Sequence, residues 1–278
     1  MQWKIILQTE RVLHMDSRPI GLLDSGLGGL SVVKKVIQAM PWESTVFIGD
    51  QANMPYGDRS KQGIIALTRK SMAYLLSQDV KVIIFACNTA TAMAMPTLQK
   101  ETDRQIIGVI QSGALMAAKT TRTKQVATIS TKATALAHSY RADIQARDPE
   151  IQVTELATPL LAPLVEKEPG QKEVDRVVRE SLQPLQGKHF DTLVLGCTHY
   201  PLIQDSIAAC VPQGTNIVDP ADQVALYTYN VLRRDGLLAD WRGDATHKYV
   251  TTGDPVRFGQ IAAKWLNDPN LQAVHQDA

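Results

Sequence analysis

Two stretches of the chain decide its fold: VIIFACNT at residues 82–89 and TLVLGCTH at residues 192–199. Each stretch begins with a run of apolar and β-branched residues, continues with a small residue and a cysteine, and ends with polar residues that open a helix. Such strand-to-helix junctions are typical of parallel sheets covered by helices. Because the same junction occurs twice, it predicts two similar lobes that face each other across a cleft.

The alternation of strands and helices extends outward from these stretches over most of the chain. Runs that predict strands lie at residues 20–23, 45–48, 80–85, 106–110, 125–129, 151–156, 192–195, 216–218 and 248–251. Segments that predict helices lie near residues 29–39, 60–77, 90–101, 131–147, 171–186, 200–210 and 221–235. The pattern predicts an α/β fold of two pseudo-symmetric three-layer lobes with mainly parallel sheets, and an active site in the cleft between them. We expect a first lobe at residues 15–111 and 219–278 and a second lobe at residues 112–218.

Composition and charge narrow the classes of protein to consider. Of 278 residues, 44% are hydrophobic and 21% are charged, and the formal net charge is +1. This balance offers no basic surface for nucleic acid or an anionic membrane. No apolar run approaches the roughly 20 residues that span a bilayer, so we expect a cytoplasmic protein. Residues 1–14 lack a signal-peptide cleavage site and are predicted to be an N-terminal appendage, although a docking element stays open.

The three cysteines do not suit a disulfide framework or a metal site. None belongs to a C-x-x-C pair, and the six histidines are scattered along the chain. Cys210 lies on an apolar helical face, where packing explains it. Cys87 and Cys197 lie instead where a strand ends and a helix begins, so unpaired backbone N–H groups should favour the reactive thiolate.

Polar residues beside the two cysteines fit an anion-binding site. Asn88, Thr89 and Thr198 offer hydrogen bonds that could hold a substrate carboxylate without an arginine, although helix capping alone also explains them. The glycine-rich loop DSGLGG at residues 24–29 does not match G-x-G-x-x-G, which argues against a nicotinamide or flavin cofactor. Asp24, which begins this loop, is a candidate to hold a ligand amine or to control a thiol, and capping is its alternative.

Five motifs recur in a recognisable order from about residue 16 onward. They are GLLDSGLGGL at 21–30, Gly49-Asp50 followed by PYG at 55–57 and Arg59-Ser60, ACNTAT at 86–91, PLVE at 163–166 and GCTHYPL at 196–202. In these motifs the chain resembles the glutamate racemase family of the aspartate/glutamate racemase superfamily. The resemblance implies interconversion of L- and D-glutamate, which supplies D-glutamate for peptidoglycan, and it leaves a homodimer open.

The resemblance also implies roles for individual residues. Cys87 would exchange the α-proton on the D-face and Cys197 on the L-face. Asp24 would support Cys87, while His199 and Glu166 would support Cys197. No lysine lies beside the motifs, so neither pyridoxal phosphate nor any other cofactor is implied, and no metal is expected. The residues expected to contact the substrate are Asp24, Ser25, Pro55, Tyr56, Gly57, Asn88, Thr89, Thr131, Thr134, Thr198 and His199.

Several positions also have an ordinary structural explanation. Tyr56 could be a turn residue, Glu166 a solvated charge and His199 a helix cap. The chain departs from the usual family pattern in three places, with VIQSGA at residues 109–114, Asn53 where arginine is common, and STKAT at residues 130–134. These departures put the geometry at the lobe junction in doubt, but they leave the proton-transfer residues unchanged.

Three other functions stay open at this point. One is an aspartate or hydantoin racemase of the same superfamily, although the PYG loop at 55–57 and CTHYP at 197–201 favour glutamate. A decarboxylase of the superfamily needs only one cysteine, so the second cysteine argues against it. A two-lobed amino-acid binding protein would need no thiol at either strand end.

Overall fold

The computed structural model describes residues 15–277, and in it the chain forms two sheets of parallel strands with helices packed around them. The first sheet has the strand order β10-β9-β2-β1-β3-β4, and the second has the order β6-β5-β7-β8. The strands are β1 (Ile20–Asp24), β2 (Thr45–Gly49), β3 (Val82–Phe85), β4 (Ile106–Gly108), β5 (Gln125–Ser130), β6 (Gln152–Ala157), β7 (Thr192–Gly196), β8 (Asn216–Val218), β9 (His247–Thr251) and β10 (Ala273–His275).

Helices connect the strands and cover both sheets. They are α1 (Leu30–Ala39), α2 (Lys61–Ser77), α3 (Asn88–Met93), α4 (Met95–Leu98), α5 (Val109–Thr120), α6 (Lys132–Leu136), α7 (Ser139–Gln145), α8 (Leu161–Glu166), α9 (Gln171–Leu182), α10 (Gln204–Ala208), α11 (Pro220–Arg234) and α12 (Pro255–Leu266). Short 3-10 helices occupy Gln51–Asn53, Tyr56–Asp58, Gln183–Leu185 and Tyr200–Ile203. The predicted α/β class with mainly parallel sheets is therefore confirmed.

Local sequence explains why the central elements form. Strands β3 and β7 are buried along their whole length, which suits their apolar and β-branched residues. Helix α9 buries Val174, Val177 and Val178 on one face and exposes charged residues on the other. Helix α11 begins at Pro220, after Asp219 caps its first turn by accepting a hydrogen bond from the backbone N–H of Ala221.

The strands lie close to where the sequence placed them, but some predicted boundaries were wrong. The strand expected at residues 106–110 ends at Gly108, because Val109 already begins α5. The helix expected at residues 131–147 breaks at His138, whose backbone is left-handed with a φ of 52°. Helices α5, α8 and α12 and the short edge strand β10 were not predicted.

The two sheets meet through the loops at the carboxyl ends of their strands. Ser31 at the start of α1 donates a hydrogen bond of 3.1 Å to the backbone carbonyl of Thr198, which follows β7. Helix α11 follows β8, the last strand of the second sheet in the chain, and packs against α1 and α5. The lobe boundary expected at residues 111 and 112 falls inside α5, and the exact limits of the lobes stay a prediction.

The predicted appendage at residues 1–14 lies outside the described residues. Between residues 15 and 277, no helix has the length and apolar character needed to cross a membrane.

Candidate active site

Asp24 is the last residue of β1 and lies at the centre of the site. Its side chain is 1% exposed, and Oδ2 accepts hydrogen bonds from the backbone N–H groups of Gly29 at 2.8 Å and Gly26 at 3.4 Å. Oδ1 is buried and has no hydrogen-bond partner among residues 15–277. Burial raises the pKa of Asp24, although the nearby His199 and the two N–H groups oppose that shift. A buried carboxylate oxygen without a partner is a ready acceptor for a ligand N–H or a thiol.

Cys87 follows β3 and caps α3. Its Sγ accepts a hydrogen bond from the backbone N–H of Ala90 at 3.4 Å and lies 3.7 Å from Ser25 Oγ. The side chain is 4% exposed. Burial, together with the negative charge of Asp24, raises the pKa of Cys87 to about 12. The expectation of a stabilised thiolate at this position was therefore wrong, because desolvation outweighs the hydrogen bonds that Cys87 makes with Ala90 and Ser25.

Cys197 follows β7 and has a different environment. Its Sγ lies 3.6 Å from His199 Nδ1, and His199 Nε2 lies 2.7 Å from Glu166 Oε1. Burial of the imidazole lowers its pKa, but hydrogen bonds to Cys197 and Glu166 outweigh burial and raise the pKa of His199 to about 10. The protonated His199 therefore places a positive charge beside the sulfur of Cys197. Because Glu166 is almost fully buried and pairs with His199, it is not a solvated charge.

The two cysteine environments lie close together across the interface of the sheets. A negative charge on Cys197 is close enough to add to the rise in the pKa of Cys87. In addition, Thr198 Oγ1 donates a hydrogen bond of 3.5 Å to Asp24 Oδ2. A β-carbon at Gly28 would lie 2.3 Å from Thr198 Oγ1, so only glycine allows the loop after β1 to pack this closely against the second sheet. The structure thus brings together Asp24, Ser25, Cys87, Cys197 and His199 with Glu166.

A cluster of hydroxyl groups lies beside Cys87. Thr89 Oγ1 is 2.9 Å from Thr131 Oγ1 and 3.3 Å from Thr134 Oγ1, and Thr131 also caps α6. A β-carbon at Gly57 would lie 2.9 Å from the Thr131 side chain, which places the PYG loop next to this cluster. Hydroxyl groups arranged in this way can donate hydrogen bonds to a carboxylate.

Tyr56 is a buried member of the same loop rather than an exposed turn residue. Its hydroxyl donates a hydrogen bond of 2.6 Å to Asp50 Oδ2, while Asp50 Oδ1 accepts from Thr252 at 2.7 Å and from Asn53 at 2.9 Å. Burial and the Asp50 charge raise the pKa of Tyr56. Pro55 belongs to the same loop as Tyr56, but among the described residues it makes no hydrogen bond to Cys87, Cys197 or their partners.

Sequence reasoning missed one buried contact of the site. Tyr140 in α7 donates a hydrogen bond of 2.7 Å to Asn88 Oδ1, the residue directly after Cys87. No local pattern marks Tyr140, because its partner lies on the other lobe and 52 positions away in the sequence. Asp50, by contrast, belongs to a quoted motif and could have been found from it.

The arrangement gives the two thiols different acid–base neighbours. Burial and the charge of Asp24 raise the pKa of Cys87, whereas Cys197 has a cationic neighbour in His199. In the described part of the chain, no group of three or more histidine, cysteine or carboxylate side chains could hold a metal ion.

Comparisons with known proteins give the family. The sequence model of the Asp/Glu/Hydantoin racemase family matches residues 20–227. The chain is 62% identical over 264 residues to glutamate racemase from Lactobacillus johnsonii, covering 95% of this chain and 99% of that protein. Its structure resembles the RacE1 isoform of glutamate racemase from Bacillus anthracis, with 34% identity and a TM-score of 0.87 over 94% of this chain and 97% of that one.

A second solved structure is that of glutamate racemase from Francisella tularensis in complex with D-glutamate. It is 31% identical, has a TM-score of 0.85, and the match covers 94% of this chain and 97% of that chain. The chain therefore belongs to the Asp/Glu/hydantoin racemase family, in which it falls among the glutamate racemases, and it is an amino-acid racemase.

Proposed function

We propose that this chain interconverts L- and D-glutamate with two cysteine bases and no cofactor. The observation that carries the proposal is the pair of buried thiols, Cys87 and Cys197, each at the end of a parallel strand and each with its own acid–base neighbours. A racemase needs a base on one face of the α-carbon and an acid on the other, and such a pair supplies both.

In the direction from L- to D-glutamate, the Cys197 thiolate accepts the α-proton and His199 stabilises the thiolate. The C–H electron pair stays on the substrate as a carbanion when the new S–H bond forms. The Cys87 thiol then donates its proton to the opposite face of the α-carbon. Its high pKa keeps this proton in place until the carbanion forms. The reverse direction exchanges the two roles.

The carboxylate residues tune the two thiols. Oδ1 of Asp24 is free to accept a hydrogen bond from the substrate ammonium or from Cys87, and either contact would assist proton transfer on the D-face. Glu166 holds His199 through Nε2, which orients Nδ1 toward Cys197 on the L-face. Both thiols are 6% exposed or less, so little water competes for the carbanion.

Hydrogen-bond donors for the two substrate carboxylates come from both sides of the cleft. We assign this role to the residues that share hydroxyl or amide groups near the thiols, namely Ser25, Asn88, Thr89, Thr131, Thr134 and Thr198. Tyr56, Pro55 and Gly57 would form the wall of the pocket. We also propose the lobe limits given above, residues 15–111 with 219–278 and residues 112–218, because each sheet then belongs to one lobe.

The cellular role follows from the same proposal. D-Glutamate is a component of peptidoglycan, and this racemase would supply it from L-glutamate. Cys87 and Cys197 must stay reduced to act, which suits the reducing cytoplasm. The partner is then a small molecule, and no nucleic acid or membrane is involved.

A second candidate is a racemase for another substrate of the same family. The matching family model covers aspartate and hydantoin racemases as well as glutamate racemases. Comparable kcat/KM values for aspartate and glutamate would favour this broader assignment, and we expect aspartate to be much the poorer substrate.

The direct test follows the α-proton of glutamate in heavy water. We expect the purified protein to exchange the α-proton of both L- and D-glutamate for deuterium without added cofactor, as measured by proton NMR. Activity that disappears with a chelator, or that requires pyridoxal phosphate, would contradict the mechanism.

Single cysteine variants test the two faces separately. A substrate with a leaving group on the β-carbon eliminates after one deprotonation and needs no second base. Cys87→Ser should therefore retain elimination from the L-isomer through Cys197, and Cys197→Ser should retain it from the D-isomer through Cys87, while both lose racemisation. If both variants prefer the same isomer, only one cysteine acts as a base.

A further inference from the structure

Tyr140 connects the second lobe to the first at the edge of the candidate site. It lies in α7 and is 1% exposed, and its hydroxyl donates a hydrogen bond of 2.7 Å to Asn88 Oδ1. Asn88 lines a small cavity that Cys197 and Thr198 also line. A tyrosine of one lobe therefore holds a residue that adjoins both thiols.

This hydrogen bond determines which way the Asn88 carboxamide points. A carboxamide has one acceptor end and one donor end, so an anchored Oδ1 leaves Nδ2 to face away from Tyr140. Within residues 15–277, no protein atom accepts a hydrogen bond from Nδ2, and Nδ2 is not among the fully buried unpaired atoms. The donor end is thus free to contact a ligand.

The tyrosine is itself held firmly. β-Carbons built at Gly113 and Gly196 would each lie 3.1 Å from a ring carbon of Tyr140, so both backbones pack closely against the ring. Burial also raises the pKa of Tyr140 well above its usual value, and the charge of Asp219 adds to the effect. The hydroxyl therefore keeps its proton and stays a donor.

We infer that Tyr140 is a positioning residue, which orients the amide of Asn88 so that Nδ2 donates to a carboxylate of the substrate. The inference rests on the proposed function, since it takes glutamate as the ligand. Without the hydroxyl, the amide can rotate and present its oxygen to the carboxylate, which would repel it. Tyr140 would act only through Asn88 and would not touch the substrate.

The first experiment compares Tyr140→Phe with a matched control. Phenylalanine keeps the ring between the glycines and removes only the hydroxyl. We expect KM for glutamate to rise about tenfold while kcat falls less than about threefold, because a lost hydrogen bond to a charged group weakens ground state and transition state alike. Tyr249→Phe, in the buried part of β9, should leave both parameters unchanged. A general loosening of the lobes would lower kcat and the melting temperature instead.

A double-mutant cycle shows whether Tyr140 acts through Asn88. Asn88→Ala should raise KM by itself, and adding Tyr140→Phe to it should change KM less than about twofold. If Asn88→Ala is too slow for kinetics, calorimetric Kd values for D-glutamate replace KM in the same cycle. The inference is overturned if Tyr140→Phe leaves KM unchanged or keeps its full effect without Asn88. Failure of the proposed function is a separate result, because the unmodified protein would then not racemise glutamate at all.

Discussion

Replacing Gly28 with alanine tests how closely the two lobes meet at the reacting groups. In the structure, the new β-carbon would lie 2.3 Å from Thr198 Oγ1 and 2.6 Å from His199 Nδ1. Ordinary contacts of a β-carbon begin at 3.4 Å, so the loop and the second lobe must separate by about 1 Å. Thr198 directly follows Cys197, and His199 contacts the Cys197 sulfur. The substitution should therefore displace the pair formed by Cys197 and His199.

The expected loss can be estimated from this displacement. A misplacement of about 1 Å at a reacting group lowers the rate by about 100-fold, so we expect kcat/KM for glutamate to fall by that factor. Overpacking should also reduce the free energy of unfolding by about 1–3 kcal/mol. The two enantiomers have equal free energy, so kcat/KM must fall equally in both directions.

The assay measures racemisation from each enantiomer by circular dichroism, together with urea unfolding of the same samples. Gly170→Ala is the matched control, because a β-carbon there would meet nothing within 4 Å. We expect this control to keep its activity. A folded Gly28→Ala protein with kcat/KM within about threefold of the unmodified value would refute the close approach of the lobes.

Three further predictions concern the acid–base pair, the opposite end of the first sheet and the N-terminus. Glu166→Gln should lower the pKa of His199, now raised to about 10, so the alkaline limb of kcat/KM should move to lower pH by about 1 pH unit or more, and an unchanged limb would contradict the pairing. Lys81 and Glu43 form a fully buried ion pair of 2.5 Å, so Lys81→Met should cost about 3–5 kcal/mol of unfolding free energy, as measured in urea. This loss should shrink at low pH, where the unpaired Glu43 carboxylate binds a proton, and it should be smaller when Glu43→Gln is added. Deletion of residues 1–14 should leave stability and activity nearly unchanged, and a loss of more than about 1 kcal/mol would show that the segment packs on the core.

The sequence predicted much of the fold because strand and helix signals are local. Buried runs such as those of β3 and β7 are recognisable from their own residues. Helix α12 had such signals and was overlooked, since Asp254 caps it, Pro255 begins it, and Phe258 and Ile261 lie on its buried face. Two other missed elements are harder to recognise. Helix α5 begins directly after β4 without a turn, and β10 is a short edge strand with Val274 half exposed. The buried face of α5 includes Ser112 and Gly113, which do not mark an apolar stripe, and the three residues of β10 are too few to show a period.

The sequence by itself determined the two strand-to-helix junctions and the residue types at them, since a cysteine after a buried strand is a feature of eight consecutive positions. Only the tertiary structure decided how the thiols behave. The helix N-terminus after Cys87 predicted a thiolate, yet burial and the Asp24 carboxylate raise its pKa to about 12. Cys197 instead lies beside His199, which pairs with Glu166. Asn88 accepts a hydrogen bond from Tyr140 of the other lobe. Desolvation and contacts between lobes depend on how the whole chain packs, and no local segment contains that information.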